Sequence, residues 1–206
     1  MFSNVNDLLE FINTNKNAEN RVCEYKTGMS WNNSNKDFKC KIIRAILAMS
    51  NLQDGGYVII GVEQDKENNY QPIGMTEDEA LTYDYDEVLE AANSYADPYV
   101  TLRIQSLQYE DRYIVVIGIS EFVEIPIICK KDYPDILERG RMYVRPFRKP
   151  ESSANLTSSE LREIIELASK KSLRKHLETM SYAGINLEQV VPEQSRSLYS
   201  KERGSF

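Results

Sequence analysis

The stretch from Glu19 to Glu63 leaves this chain few ways to fold. It reads ENRVCEYK, then KDFKCKIIRAILAMSN, then LQDGGYVIIGVE. A short charged strand, an apolar helix and a glycine-started strand follow one another with almost no slack. In the helix, Phe38, Ile42, Ala45, Ile46 and Met49 form one stripe, and Cys40, Ile43 and Leu47 form a second. Only a narrow polar strip remains, including Asp37, Lys41 and Arg44, so the fold must bury this helix on two sides. Tyr57 to Glu63 is a continuous apolar run behind Gly55-Gly56, as expected of a central strand entered through a tight turn. Such economy implies one compact unit that gathers Glu19, Glu24 and the end of the second strand. Three carboxylates at one spot are either a metal site or an electrostatic cost with another explanation.

Periodicity predicts an amphipathic helix over Val5–Thr14, capped by Asn4 or Asn6, and a first strand over Arg21–Lys26. The buried helix runs Lys36–Asn51. An acidic helix over Asp78–Ala96 stops at Asp97-Pro98. A hairpin follows, Val100–Tyr109 and Tyr113–Phe122, joined by Glu110-Asp111-Arg112. Short strands are expected at Pro126–Lys130 and Gly140–Pro146, then a helix over Ser158–Lys170 with a Thr157/Glu160 capping box. From about Gly184 the chain reads as a docked turn and a flexible tail. No repeat and no linker divides it.

The formal net charge is −7, which opposes general nucleic-acid affinity. The charge is segregated, however. Thr76–Asp97 holds acids without Lys or Arg, whereas Arg139–Lys149 holds Arg139, Arg141, Arg145, Arg148 and Lys149 without an acid. Lys170, Lys171, Arg174 and Lys175 make a second basic cluster. Either block is a solvated face or, if its cations share a side, a phosphate-binding surface. Cys23, Cys40 and Cys129 lack CxxC spacing and read as reduced thiols of a cytoplasmic protein. One histidine, His176, beside them argues against zinc, so any metal would be a hard cation held by oxygen. No apolar run reaches membrane-spanning length, and the N-terminus lacks a signal-peptide pattern.

Among residues able to carry chemistry, Glu19 and Glu24 converge only if the chain bends between them. Glu24 and Lys26 share a strand face, which fits an ion pair on a half-exposed strand as well as a site. Glu63 ends the second strand, with Asp65 in the turn after it. Strand ends of open sheets carry ligands, but a solvated boundary reads the same way. Arg141, Tyr143 and Arg145 would project from one strand face, where guanidinium and ring can grip phosphate and stack on bases. The alternative is a solvated edge strand. Neither GxxxxGK[ST] nor GxGxxG is present, so no nucleotide cofactor is expected, and no acyl-transfer triad is visible.

Three blocks together resemble the Schlafen AlbA-like family (AlbA_2). They are ENRVCEYK; IIRAILAMSNLQDGGYVIIGVE with its Asn-x-x-x-Gly-Gly turn; and IPIICKK through ERGRMYVRPFRKPES to SSELREIIELA. The resemblance implies an α/β (α+β) class, a single-domain Schlafen AlbA-like fold with a central mixed β-sheet flanked by helices. It would occupy residues 1–175, with a C-terminal extension over 176–206. Many bacterial members resemble nucleic-acid-binding modules, while Schlafen-type members include metal-dependent endoribonucleases acting on tRNA and other structured RNA.

Carried over by motif, Glu19 and Glu24 match two metal-binding glutamates. The third position falls on Glu63, a glutamate where the family has aspartate, with Asp65 close enough to substitute. The implied cofactor is Mg²⁺ or Mn²⁺, with Lys26 neutralising phosphate charge beside the catalytic Glu19, Glu24 and Glu63. Arg139, Arg141, Tyr143, Arg145, Arg148, Lys149, Lys170, Lys171 and Arg174 would contact RNA (tRNA-like) or DNA. Because two lobes clamp RNA in the Schlafen nucleases, the resemblance implies a homodimer. The functional expectations are therefore a metal-dependent RNase, in a toxin or anti-phage role; a silent nucleic-acid-binding regulator; or an adaptor working through its acidic helix.

Overall fold

A computed structural model of the protein describes residues 1–14, 21–67, 69–146 and 155–184. Helix α1 (Val5–Thr14) starts where Asn4 Oδ1 accepts the amides of Asn6 and Asp7. Strand β1 (Cys23–Lys26) leads to α2 (Lys36–Ser50) and then β2 (Gly56–Ile60). The expected single strand Tyr57–Glu63 is broken at Gly61, and β3 (Val62–Gln64) pairs instead with β4 (Tyr70–Pro72). Gly61 has φ +99°, and its carbonyl accepts both the Ile73 and Gly74 amides. Glycine tolerates that turn, and the chain leaves the sheet there.

The expected Asp78–Ala96 helix is two helices, α3 (Glu77–Leu81) and α4 (Tyr85–Asn93). Each has its own cap. Thr76 and Glu79 form a capping box on α3, and Asp84 accepts the amides of Asp86 and Glu87 to start α4. An N-cap residue has extended backbone, so Asp84 ends one helix by starting the next. Then come β5 (Ala96–Asp97), β6 (Leu102–Tyr109), β7 (Arg112–Ile119) and β8 (Ile128–Cys129). No named strand covers residues 140–146. Helix α5 (Ser158–Tyr182) extends well past the expected Lys170, from the Thr157/Glu160 capping box expected. The chain divides into two units between Glu166 and Leu167, inside this helix.

The main sheet has strand order β1-β2-β7-β6, with β1 parallel to β2 and the other pairs antiparallel. This is the central mixed sheet with flanking helices that the sequence implies. On one face, Leu8 and Ile12 of α1 pack with Cys23, Tyr25, Ile59 and Val116. The opposite face carries Val58, Ile60, Val115 and Ile117, all fully buried, and α2 packs against β2 and β7. Ile42, Ile43, Ile46, Leu47 and Met49 are all buried. Each stabilises by roughly 1.5–3 kcal/mol relative to exposure.

Gly55 and Gly56 admit this packing. A Cβ on Gly55 (φ +71°) would lie 1.9 Å from the Ile119 carbonyl oxygen, and one on Gly56 would lie 2.7 Å from that of Val22. Among the described residues no helix is long and apolar enough to cross a membrane.

Candidate functional site

Register decides where Glu24 points. It pairs with Val58, which pairs with Ile117, so its side chain lies on the α2 face of the sheet. Apolar neighbours on that row make a bare carboxylate costly. Glu24 is 9% exposed, and both its oxygens are taken. Oε1 is 2.5 Å from Lys26 Nζ and Oε2 is 2.5 Å from an Arg145 guanidinium nitrogen. The Glu24–Lys26 pairing open in the sequence therefore exists, with a second cation that sequence spacing does not reveal.

Arg145 is 0% exposed. Besides Glu24, its guanidinium donates to the carbonyls of Cys23 at 2.8 Å and Arg21 at 3.4 Å. Arg21 answers by donating through Nε to the Arg145 carbonyl at 2.6 Å, while its other nitrogens grip Glu163 at 2.9 and 2.5 Å. A guanidinium fork fits this arrangement because its donors are fixed in one plane. The expected exposed row Arg141–Tyr143–Arg145 is thus corrected. The segment is irregular rather than an edge strand. Tyr143 is buried, with its hydroxyl accepting the Glu138 amide at 2.8 Å, and Arg145 faces inward. Only Arg141 of the three is exposed, paired to Glu138 at 2.8 Å.

The acids after β2 are also engaged. Glu63 accepts the Thr27 hydroxyl, which ties the β3 edge to the end of β1. Asp65 shapes the β3–β4 turn. Its Oδ1 accepts the amides of Glu67 (2.8 Å) and Asn69 (2.9 Å), and its Oδ2 accepts from the Gln71 side chain at 2.8 Å. The Asn69 amide is the chief cause of an Asp65 pKa below the ordinary 3.8. A depressed carboxyl pKa stabilises above its unfolded value and loses that contribution as pH falls through the folded value. We expect the Glu67 and Asn69 amide resonances to titrate together with a midpoint below 3.8, and Asp65→Ala to abolish that titration. A midpoint at or above the ordinary value would show that these bonds do not hold the carboxylate.

Among the described residues no group of three or more His, Cys, Asp or Glu is placed to hold a metal. The donor chemistry agrees, since Glu24 is already charge-compensated and Asp65 is committed to its turn. Of the acids expected to cradle Mg²⁺ or Mn²⁺, Glu24 and Asp65 thus have protein partners for their carboxylates, and Glu63 is exposed beside Thr27. Glu19, Arg148 and Lys149, and the tail beyond Gly184, lie outside the described residues. Arg139 is exposed, and its amide donates to Asp132. Lys170 and Arg174 are exposed on α5 in the second unit, where Lys171 is half-buried.

Sequence reasoning passed over two features. Asn51, buried at the C-terminal end of α2, donates to the carbonyls of Ile127 and Tyr143 at 2.9 Å and accepts the Ile127 amide at 2.7 Å. Its visible signal was the Asn of Asn-x-x-x-Gly-Gly. The other is a set of lysines lying over aromatic rings around the start of α2. There Tyr133 donates its hydroxyl to Asp37 at 2.6 Å, and that bond pushes the phenol pKa up to about 12. The adjacent Lys130-Lys131 was the only sequence hint.

Comparison with known proteins adds three findings. The Schlafen, AlbA_2 family profile matches residues 19–149. No curated protein matches. Among solved structures, the DIP2311 protein from Corynebacterium diphtheriae is 14% identical, with TM-score 0.49, over 77% of this chain. The chain spans only 27% of that protein's length. The N-terminal domain of a RecG-related protein from Nitrosomonas europaea is 21% identical, with TM-score 0.45, over 67% of this chain and 88% of that domain.

Proposed function

Because the chain belongs to the Schlafen AlbA_2 family, we propose that it is a nucleic-acid-binding domain whose acidic residues hold its structure together rather than a metal. The observation that carries this reading is the double pairing of Glu24 by Lys26 and Arg145. A carboxylate bound by two cations has little negative charge left to offer, and a metal would have to displace both of them.

A metal-dependent endoribonuclease is the second reading. What favours it is the position of Glu63, exposed and tied by Thr27 to the same end of β1 that carries Lys26. One experiment separates the two. Purified protein and Glu24→Ala are incubated with total tRNA in Mn²⁺ or EDTA, and binding to tRNA and duplex DNA is followed across salt. The binding reading expects salt-sensitive association without cleavage. Cleavage that requires Mn²⁺ and is lost in Glu24→Ala would overturn it in favour of the nuclease. A second copy supplying the other lobe belongs to the same proposal, and sedimentation showing only monomer with nucleic acid bound would remove it.

A further inference from the structure

We infer that the phosphate backbone of the bound nucleic acid runs along a stripe of lysines laid over aromatic rings at the N-terminal turn of α2 and residues 130–133. The inference rests on the nucleic-acid-binding reading above. Lys36 Nζ lies 5.5 Å from the Tyr133 ring centre, Lys131 Nζ 5.3 Å from Tyr95, and Lys130 Nζ 5.2 Å from Tyr99. Lys39 Nζ extends the set at 4.8 Å from Trp31.

The stripe is continuous through its rings. Tyr133 binds Asp37 beside Lys36, and the Tyr95 hydroxyl accepts from Cys40 one helical turn further along α2. The Tyr95 carbonyl accepts the Lys130 amide at 2.8 Å.

Each of these four ammonium groups lies over a ring, and none has a carboxylate partner among the described residues. Arg21, Lys26, Arg141 and Arg145 each sit against an acid. No described carboxylate lies within 4 Å of the four lysines' ammonium groups. Three acids of these segments make other contacts: Asp37 with Tyr133, Asp132 with the Arg139 amide, Glu138 with Arg141. A ring face orders an ammonium without neutralising it, so its charge stays available to phosphate at reduced entropic cost. Tyr99 is 73% exposed and offers a base a stacking surface. Net acidity does not by itself oppose such a surface, because the local arrangement of charge matters more than the sum.

The test uses the full chain with a fluorescent single-stranded RNA and a duplex DNA across a salt series. Lys36→Gln/Lys130→Gln/Lys131→Gln should weaken binding at least about tenfold at low salt. It should also lower the slope of log affinity against log salt by about 2, at roughly 0.7–0.9 for each phosphate that is no longer neutralised. The matching Lys→Arg triple should keep both. Lys66→Gln/Arg103→Gln/Arg162→Gln removes equal charge from other exposed elements and should leave the slope unchanged. Wild-type binding with an unaltered slope in the lysine triple overturns the stripe and spares the nucleic-acid reading. Absence of any wild-type binding overturns both. Polyglutamate displacing the RNA more strongly than unlabelled RNA does would assign the surface to an acidic protein and overturn the inference.

Discussion

Arg145→Met should destabilise the protein by about 3–5 kcal/mol, because it leaves Glu24 inside the sheet–helix layer with one of its two cations gone. The carbonyls of Cys23 and Arg21 lose donors at the same stroke. For a body of this size that is a fall of roughly 10 °C in melting temperature. Arg145→Lys is not a conservative replacement here. A lysine keeps the charge but lacks the fixed fork that reaches Glu24 and the carbonyls of Cys23 and Arg21 together, so it should recover only part of the loss. Glu24→Leu with Arg145→Met should cost less than the sum of the single changes, since the double variant no longer buries a half-compensated carboxylate. Folded Arg145→Met should also show an unchanged salt slope for nucleic-acid binding. A stable Arg145→Met with a reduced slope would mean that the guanidinium reaches phosphate, contrary to its burial.

That prediction also marks where the sequence stops being readable. Helix α1, helix α2 and the β6–β7 hairpin were legible because local periodicity and local caps determine them. The two glycines of the α2–β2 turn were legible for the same reason, and the close approaches at Gly55 and Gly56 bear it out. The single strand through Gly61 failed because a lone glycine in an apolar run does not announce that the chain leaves the sheet. The helix Asp78–Ala96 failed although Asp84 followed by Asp86-Glu87 is a readable cap. Acidity throughout the segment concealed it.

Arg145 was illegible in principle. Alternation places it beside Arg141 and Tyr143 on an exposed row, but its acceptor on Glu24 is 121 positions away, and only the register of β1 brings them together. The lysine stripe has the same cause, since Tyr95 and residues 130–133 reach α2 only through tertiary packing. The acids were legible as positions, but their protein partners were not. Asp65 serves its own turn and Glu24 serves Arg145.

Asn51→Leu is expected to cost about 3 kcal/mol or more, from three buried backbone groups left without partners at roughly 1–3 kcal/mol each. Leucine keeps the branched four-atom skeleton but is bulkier, so part of the loss is overpacking beside the broken hydrogen bonds. The affected carbonyls and amide belong to Ile127 and Tyr143, which bracket the segment carrying Lys130, Lys131 and the approach to Arg145. One side chain at the end of α2 therefore ties both ends of this segment to the helix. Amide exchange in the Asn51→Leu variant should quicken first across residues 127–145, before the β6–β7 hairpin responds. Asn51→Asp gives a sharper control. It keeps the acceptor for the Ile127 amide but sets a carboxylate against two carbonyl oxygens, which raises its pKa. Its cost should be greatest above that raised pKa and shrink as pH falls through it, when a protonated carboxyl can donate to one carbonyl. If Asn51→Leu melts with the wild type, or its exchange quickens uniformly, Asn51 does not pin this segment, and the stripe must be held by its rings alone.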